Sequence, residues 1–68
     1  MNNRIKVMRA ERNWSQQVLA DKLNVSRQTV NAIERGKYDP SLPLAFKMAH
    51  IFECKIEHIF EPTKEDLA

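Results

Sequence analysis

Glycine is almost missing from this chain: Gly36 is the only one among 68 residues. A phosphate-cradling loop is therefore excluded, because such loops need several residues without a Cβ for the backbone to wrap an anion. Cysteine is equally scarce, and Cys54 alone cannot close an internal disulfide, so nothing demands an oxidising compartment. Cys54 and His58 stand four residues apart and could share a helix face. Two ligands do not make a stable structural zinc site, however, and His50 would have to supply a third, so no metal is expected. Long apolar runs are lacking too. No stretch approaches a membrane span, and the opening Met1-Asn2-Asn3-Arg4-Ile5-Lys6 lacks the apolar core of a signal peptide. A cytoplasmic protein without a membrane partner is the expectation. The serines fall at helix-cap positions with no His-and-acid pair arranged to activate them, so no catalytic residue and no enzyme is expected. No cofactor or small-molecule ligand is evident.

Apolar residues make up 43% of the chain, enough for one compact helical core near the lower size limit for folding without disulfides or metal. Charge is unevenly spread. Residues 1–38 hold eight Lys or Arg against three acids, whereas residues 39–68 hold three against six. A basic half of this kind would orient the molecule on a polyanion. Within it, Ser15 to Tyr38 reads as two short helices joined by a three-residue corner. Ser15 and Ser26 stand at the two N-caps, where a serine oxygen accepts from the free N–H groups of the next turn. Leu19, Leu23, Val30 and Ile33 give each helix an apolar side, Val25 plugs the corner, and Ala20 is small where the helices must approach. Gly36 ends the second helix as a left-handed residue would. With one face sealed, Arg27, Gln28, Thr29, Asn31 and Arg35 point outward, the arrangement of a DNA-reading device.

The residues Trp14-Ser15-Gln16, Leu19-Ala20, Leu23, Val25-Ser26-Arg27-Gln28-Thr29-Val30, Ile33-Glu34 and Gly36-Lys37, followed by Asp39-Pro40-Ser41-Leu42, carry a resemblance. Over roughly residues 4 to 60 the chain resembles helix-turn-helix transcriptional regulators of the lambda-repressor-like, Cro or xenobiotic-response-element (XRE) type. The resemblance implies an all-α, compact five-helix DNA-binding domain over residues 1–62, with the helix-turn-helix formed by helices 2 and 3, and a short polar tail over 63–68. It further implies an ion pair between Arg9 and Glu34 that fixes helix one against helix three; two independent surface charges are the alternative. Gln16 is implied as a phosphate contact that could also brace Gln28. Three departures stand out. Trp14 replaces a leucine, and reads as a core wedge with its N–H on a carbonyl. Asn24 replaces a glycine at the corner, where asparagine is the best ordinary substitute for a left-handed residue. Glu53 and Lys55 replace the glycine and serine that separate the last two helices. Cys54 falls at an apolar family position and reads as a buried thiol, with redox sensing as the lesser alternative.

In chain order, the first helix is expected over about 3–12, with Ile5 and Met8 inward, the second over 16–23 and the third over 27–35. Arginine can bond guanine O6 and N7, and glutamine or asparagine can do the same to adenine N6 and N7. Side chains near the start of a recognition helix reach deepest into the groove. Arg27, Gln28 and Asn31 are therefore the candidate base readers. Gln16, Ser26, Thr29, Arg35, Lys37 and Tyr38 are candidates for the DNA backbone, supplying affinity rather than sequence information. Ser41 caps a fourth helix whose core stripe is Leu42, Ala45, Met48, Ala49 and Phe52. A short fifth helix covers 56–60, and residues 62–68 should fray. Leu44, Ile51, Ile56, Ile59 and Phe60 are candidates for a homodimer interface; completing the monomer core is the competing role. The reading is a sequence-specific double-stranded DNA regulator, a repressor by preference, acting as a homodimer on a near-palindromic operator. A protein-interaction module, such as an antitoxin or accessory subunit, and an architectural DNA binder are the rivals.

Overall fold

A computed structural model describes residues 1–68. Its elements run β1 (Asn2–Asn3), α1 (Ile5–Glu11), α2 (Gln16–Leu23), α3 (Arg27–Glu34), α4 (Leu42–Phe52), α5 (Ile56–Ile59), β2 (Phe60–Glu61) and α6 (Lys64–Leu67). The helices begin where the serines stand. Ser15 Oγ accepts from the Val18 N–H at 3.1 Å, Ser26 Oγ from Thr29 at 3.1 Å, and Ser41 Oγ from Leu44 at 3.3 Å. Pro43 is tolerated in the first turn of α4 because the first N–H groups of a helix have no intrahelical partner. α2 ends at Asn24, which adopts the left-handed conformation with φ 58° and lets the Val25 N–H reach back to the Ala20 carbonyl at 3.0 Å. Gly36 is also left-handed, with φ 71°.

The core is built from all of the first five helices and β2. It comprises Ile5 and Met8 of α1, Leu19, Ala20 and Leu23 of α2, Val30 and Ile33 of α3, Ala45, Met48, Ala49 and Phe52 of α4, Ile59 of α5, and Phe60. No polar or charged residue is buried among them. Each large aliphatic side chain so placed is worth about 1.5–3 kcal/mol relative to exposure, which helices of eight residues need, since isolated helices of that length are marginal in water.

Several expectations require correction. Asn3 does not open α1; it lies in β1, which pairs antiparallel with β2 through Asn2 with Glu61 and Asn3 with Phe60. The added ladder is two residues long per strand, and the architecture remains helical. Residues 62–68 do not fray as a whole: Thr63 and Asp66 form a reciprocal capping box that starts α6. The hydrogen bond from the Thr63 N–H, ahead of that from its hydroxyl, holds the Asp66 carboxyl below its ordinary range. Leu42 is not part of the core stripe of α4, being 66% exposed. Trp14 is half-buried, and what seats it is stacking on Phe52, with ring centroids 5.6 Å apart and planes at 28°, rather than a carbonyl under its N–H. Cys54 is half-buried.

The α4–α5 junction turns on Glu53, which is left-handed with φ 56°. A Cβ in that conformation costs roughly 1 kcal/mol, against which glycine's extra unfolded-state freedom must be set. Glu53→Gly should therefore leave stability unchanged or raise it by up to about 1 kcal/mol. Glu53→Val should lower it, because a β-branched side chain tolerates positive φ worst. Urea unfolding monitored by circular dichroism tests the pair.

Candidate nucleic-acid interface

α3 presents two faces of opposite character. Val30 and Ile33 are fully buried against the core, while Arg27 and Gln28 are exposed at its first turn. Asn31 and Ala32 lie half-buried at the border of the outward face, and Arg35, Lys37 and Tyr38 are exposed just beyond the helix. Thr29 is half-buried, and its hydroxyl meets Ser26 Oγ at 2.9 Å, so both belong to the capped first turn. The row Arg27, Gln28 and Asn31 thus shares one side of a short helix whose other side is sealed.

What holds α3 in place is polar at its C-terminal end. Arg9 of α1 meets Glu34 with both arms of its fork, Nε to Oε2 at 2.6 Å and Nη2 to Oε1 at 3.0 Å. The side chains are only 13% and 6% exposed. The hydrogen bond to Glu34 raises the Arg9 pKa, outweighing the effect of burial, so this guanidinium stays charged at any working pH. Arg9 Nη1 also donates to the Trp14 carbonyl at 2.9 Å. Gln16 donates to Glu34 Oε1 at 3.2 Å. It therefore braces Glu34 rather than Gln28, and the carboxylate ties α1, the first turn of α2 and the last turn of α3 together. The second amide hydrogen of Gln16 and the free N–H groups at the start of α2 remain for an anion.

A second tie was invisible in the sequence. Asn3 Nδ2 donates to the Ile33 carbonyl at 2.8 Å, while its Oδ1 accepts from the Ile5 N–H at 3.2 Å. One side chain therefore accepts from the first N–H of α1 and adds a second donor to the Ile33 carbonyl at the end of α3, which also accepts from the Gly36 N–H at 3.0 Å. The first contact has a local signal, an asparagine two residues before an apolar helix start; the second joins residues thirty apart and has none. Lys47 of α4 likewise donates to the Leu23 carbonyl at 2.8 Å, steadying the corner from outside.

The proposed dimer residues separate into two groups. Ile59 and Phe60 are 1% and 6% exposed within a single chain, leaving them almost no surface to offer a partner. Leu44, Ile51 and Ile56 are half-buried and pack on the core while keeping an outer edge.

A sealed α2–corner–α3 unit with a polar outward helix is the architecture of a helix-turn-helix DNA-binding domain. A helix-turn-helix family model matches residues 5–59. The chain belongs to that family, the XRE-like helix-turn-helix transcriptional regulators. It is 62% identical over 60 residues to an uncharacterized HTH-type transcriptional regulator of Methanocaldococcus jannaschii, covering 88% of this chain and 91% of that one. It is 48% identical over 42 residues to the immunity repressor protein of Bacillus phage phi105, covering 62% of this chain and 29% of the repressor. A hypothetical transcription factor from Neisseria, of known crystal structure, superposes with a TM-score of 0.72 at 30% identity, covering 90% of this chain and 70% of that one. The family is one of DNA-binding regulators rather than enzymes. No helix is long and apolar enough to cross a membrane.

The clamp yields two expected outcomes. Arg9→Ala should destabilise the fold by about 3 kcal/mol, because Glu34 is left nearly buried without its cation. Joint replacement as Arg9→Met with Glu34→Leu should cost clearly less. Equilibrium unfolding of the single and double variants measures the difference. Asn3→Asp keeps the acceptor for Ile5 but sets a carboxylate against the Ile33 carbonyl. It should weaken duplex binding several-fold in a titration run well below the unfolding midpoint.

Proposed function

We propose that this protein is a sequence-specific double-stranded DNA-binding regulator that acts as a homodimer on a near-palindromic operator, most often as a repressor. The observation that carries the reading is the single outward row Arg27, Gln28 and Asn31 on a helix sealed by Val30 and Ile33 and clamped at Glu34. Arg27 and Gln28 stand at the N-terminal turn, the part of a recognition helix that enters the major groove most deeply. Arg27 would take guanine O6 and N7, and Gln28 and Asn31 adenine N6 and N7. Gln16, Ser26, Thr29, Arg35, Lys37 and Tyr38 would hold phosphates and fix the register. Two subunits would set their α3 helices in successive major grooves about 34 Å apart. Residues 1–62 make the binding unit in this reading, with 63–68 an appendage to it, and the cytoplasm is its place of action. The likeness to a phage immunity repressor supports repression by occupying a promoter.

Selection of bound duplexes from a random pool should return two inverted half-sites with a fixed spacing. Arg27→Ala should relax preference at one base pair per half-site at a cost of about 1–3 kcal/mol. Lys37→Ala should lower affinity about equally on every sequence and reduce the salt slope by roughly one. Equal losses on all sequences from both substitutions would reassign Arg27 to the backbone, and a pool without enriched motifs would leave only an architectural binder.

A further inference from the structure

The corner between α2 and α3 sets where the reading helix lies, and it has little apolar support of its own. It consists of Asn24, Val25 and Ser26, of which the first and last are exposed and Val25 is half-buried. Asn24 holds φ 58° and ψ 45°, a left-handed conformation that is strained for a residue with a Cβ. Relief would come from rotating the peptide plane between Leu23 and Asn24. That rotation changes ψ of Leu23 and φ of Asn24 together, and it turns the Leu23 carbonyl away. The same carbonyl is the one that Lys47 Nζ meets at 2.8 Å, from α4 and 24 residues further along the chain.

We propose that Lys47 is a positioning residue for sequence readout: by holding the Leu23 carbonyl it keeps the corner in the conformation that aims Arg27 and Gln28 outward, without itself touching DNA. The inference rests on the sequence-specific reading above and deepens it. Its donor is charged, and a charge-assisted hydrogen bond is shorter and stronger than a neutral one. The cation also stands at the C-terminal end of α2, where the helix dipole favours it. Its base is firm, because Ala45, Met48 and Ala49 around it on α4 are buried in the core. The ammonium therefore reaches the corner from a packed helix and not from a loop. On the other side of the bond, Leu23 is only 1% exposed, so its side chain is fixed and the peptide plane beyond it is what remains to be held. Arg27 follows Leu23 by four residues, and a change of ψ at Leu23 passes directly into the direction of α3. Gln16 stands at the far end of α2, about 10 Å away at the rise of an α-helix, and its contacts are not moved by that change. Loss of Lys47 thus falls on base preference before it falls on the phosphate contacts.

Fluorescence anisotropy across a salt series, with a duplex selected from a random pool and with an unrelated duplex, tests the assignment. Circular dichroism sets the temperature well below each unfolding midpoint, so that lost stability alone does not move the ratio of the two affinities. Lys47→Met keeps the length of the side chain and removes the donor. It should lower the preference for the selected duplex roughly three- to tenfold, with the salt slope on the unrelated duplex unchanged. Lys47→Arg, which retains a cationic donor, should stay closer to the wild type than Lys47→Met does. In the free protein the carbonyl carbon resonance of Leu23 should move upfield in Lys47→Met, reporting the lost hydrogen bond in the absence of DNA. A salt slope smaller by about one in Lys47→Met would make Lys47 a phosphate contact and overturn the proposal. An unchanged preference would overturn it too, while leaving sequence-specific binding intact. A wild-type chain that enriches no motif from the pool would overturn the sequence-specific reading itself, and this positioning role with it.

Discussion

The bidentate contact between Arg9 and Glu34 is the constraint on which the reading geometry depends. α3 is eight residues long and cannot stand as a helix by propensity alone. Its buried side supplies adhesion through Val30 and Ile33, but two apolar side chains fix a helix poorly against rotation about its own axis. The carboxylate of Glu34 removes that freedom by accepting from both arms of Arg9 and from Gln16. Such a nearly buried pair is weak evidence for net stability, because desolvation offsets much of the attraction. Its contribution is geometric: a planar fork on a planar carboxylate permits few orientations. The end of α3 is thereby held while its first turn, bearing Arg27 and Gln28, is left to solvent.

The same logic extends to the ends of three helices. The last carbonyls of a helix lack intrahelical donors, and here three are met by side chains distant in sequence. Lys47 closes Leu23 of α2, Asn3 joins the Gly36 N–H on Ile33 of α3, and Arg12 closes Phe52 of α4 at 3.0 Å. Two of these donors are cations placed where the helix dipole favours positive charge. Arg12 also lies over the rings of Phe52 and Trp14, at 5.0 and 5.7 Å from their centroids. The consequence for function is subtractive. Of the eight cations in the basic half, Arg9 and Arg12 are committed to the fold, so the charge count overstates what can meet phosphate. The exposed cations at α3, Arg27, Arg35 and Lys37, matter more than the total.

What the sequence made legible is whatever repeats at short range. Serine caps, the spacing of Leu19, Leu23, Val30 and Ile33, the left-handed Asn24 and the end at Gly36 are local signals, and each has its physical cause within one or two turns. The contacts that orient those helices are not local. Asn3 with Ile33 spans thirty residues and Lys47 with Leu23 twenty-four, and no periodicity encodes either. The β1–β2 pairing is too short for any alternation to show. In α4 the spacing places Ala45, Met48, Ala49 and Phe52 inward, as the structure has them, but it does not show where the stripe stops at the first turn. Leu42 lies outside, while Ile59 of α5 and Phe60 of β2, candidates for a partner with the monomer core as the competing role, fill the core. The candidates for base contact share one side of α3, with Arg27 and Gln28 exposed and Asn31 half-buried, whereas the brace that Gln16 gives to Glu34 depends on the angle between α2 and α3.

These non-local ties also join the two ends of the molecule. β2 follows α5 directly and pairs Phe60 with Asn3. The Arg4 N–H meets the Ile59 carbonyl at 2.9 Å in the same ladder. Asn3 in turn holds the last turn of α3. A path of backbone and side-chain hydrogen bonds therefore runs from α5 and β2 through Asn3 to the end of α3. In the proposed homodimer, readout of two half-sites would require the distance and angle between two α3 helices to be fixed, and so each α3 to be rigid within its own subunit. In so small a chain the core alone leaves several orientations close in energy, since apolar contacts are not directional. Directional bonds at Asn3 and Glu34 select among them, which is why the polar contacts, few as they are, bear on function more than on stability.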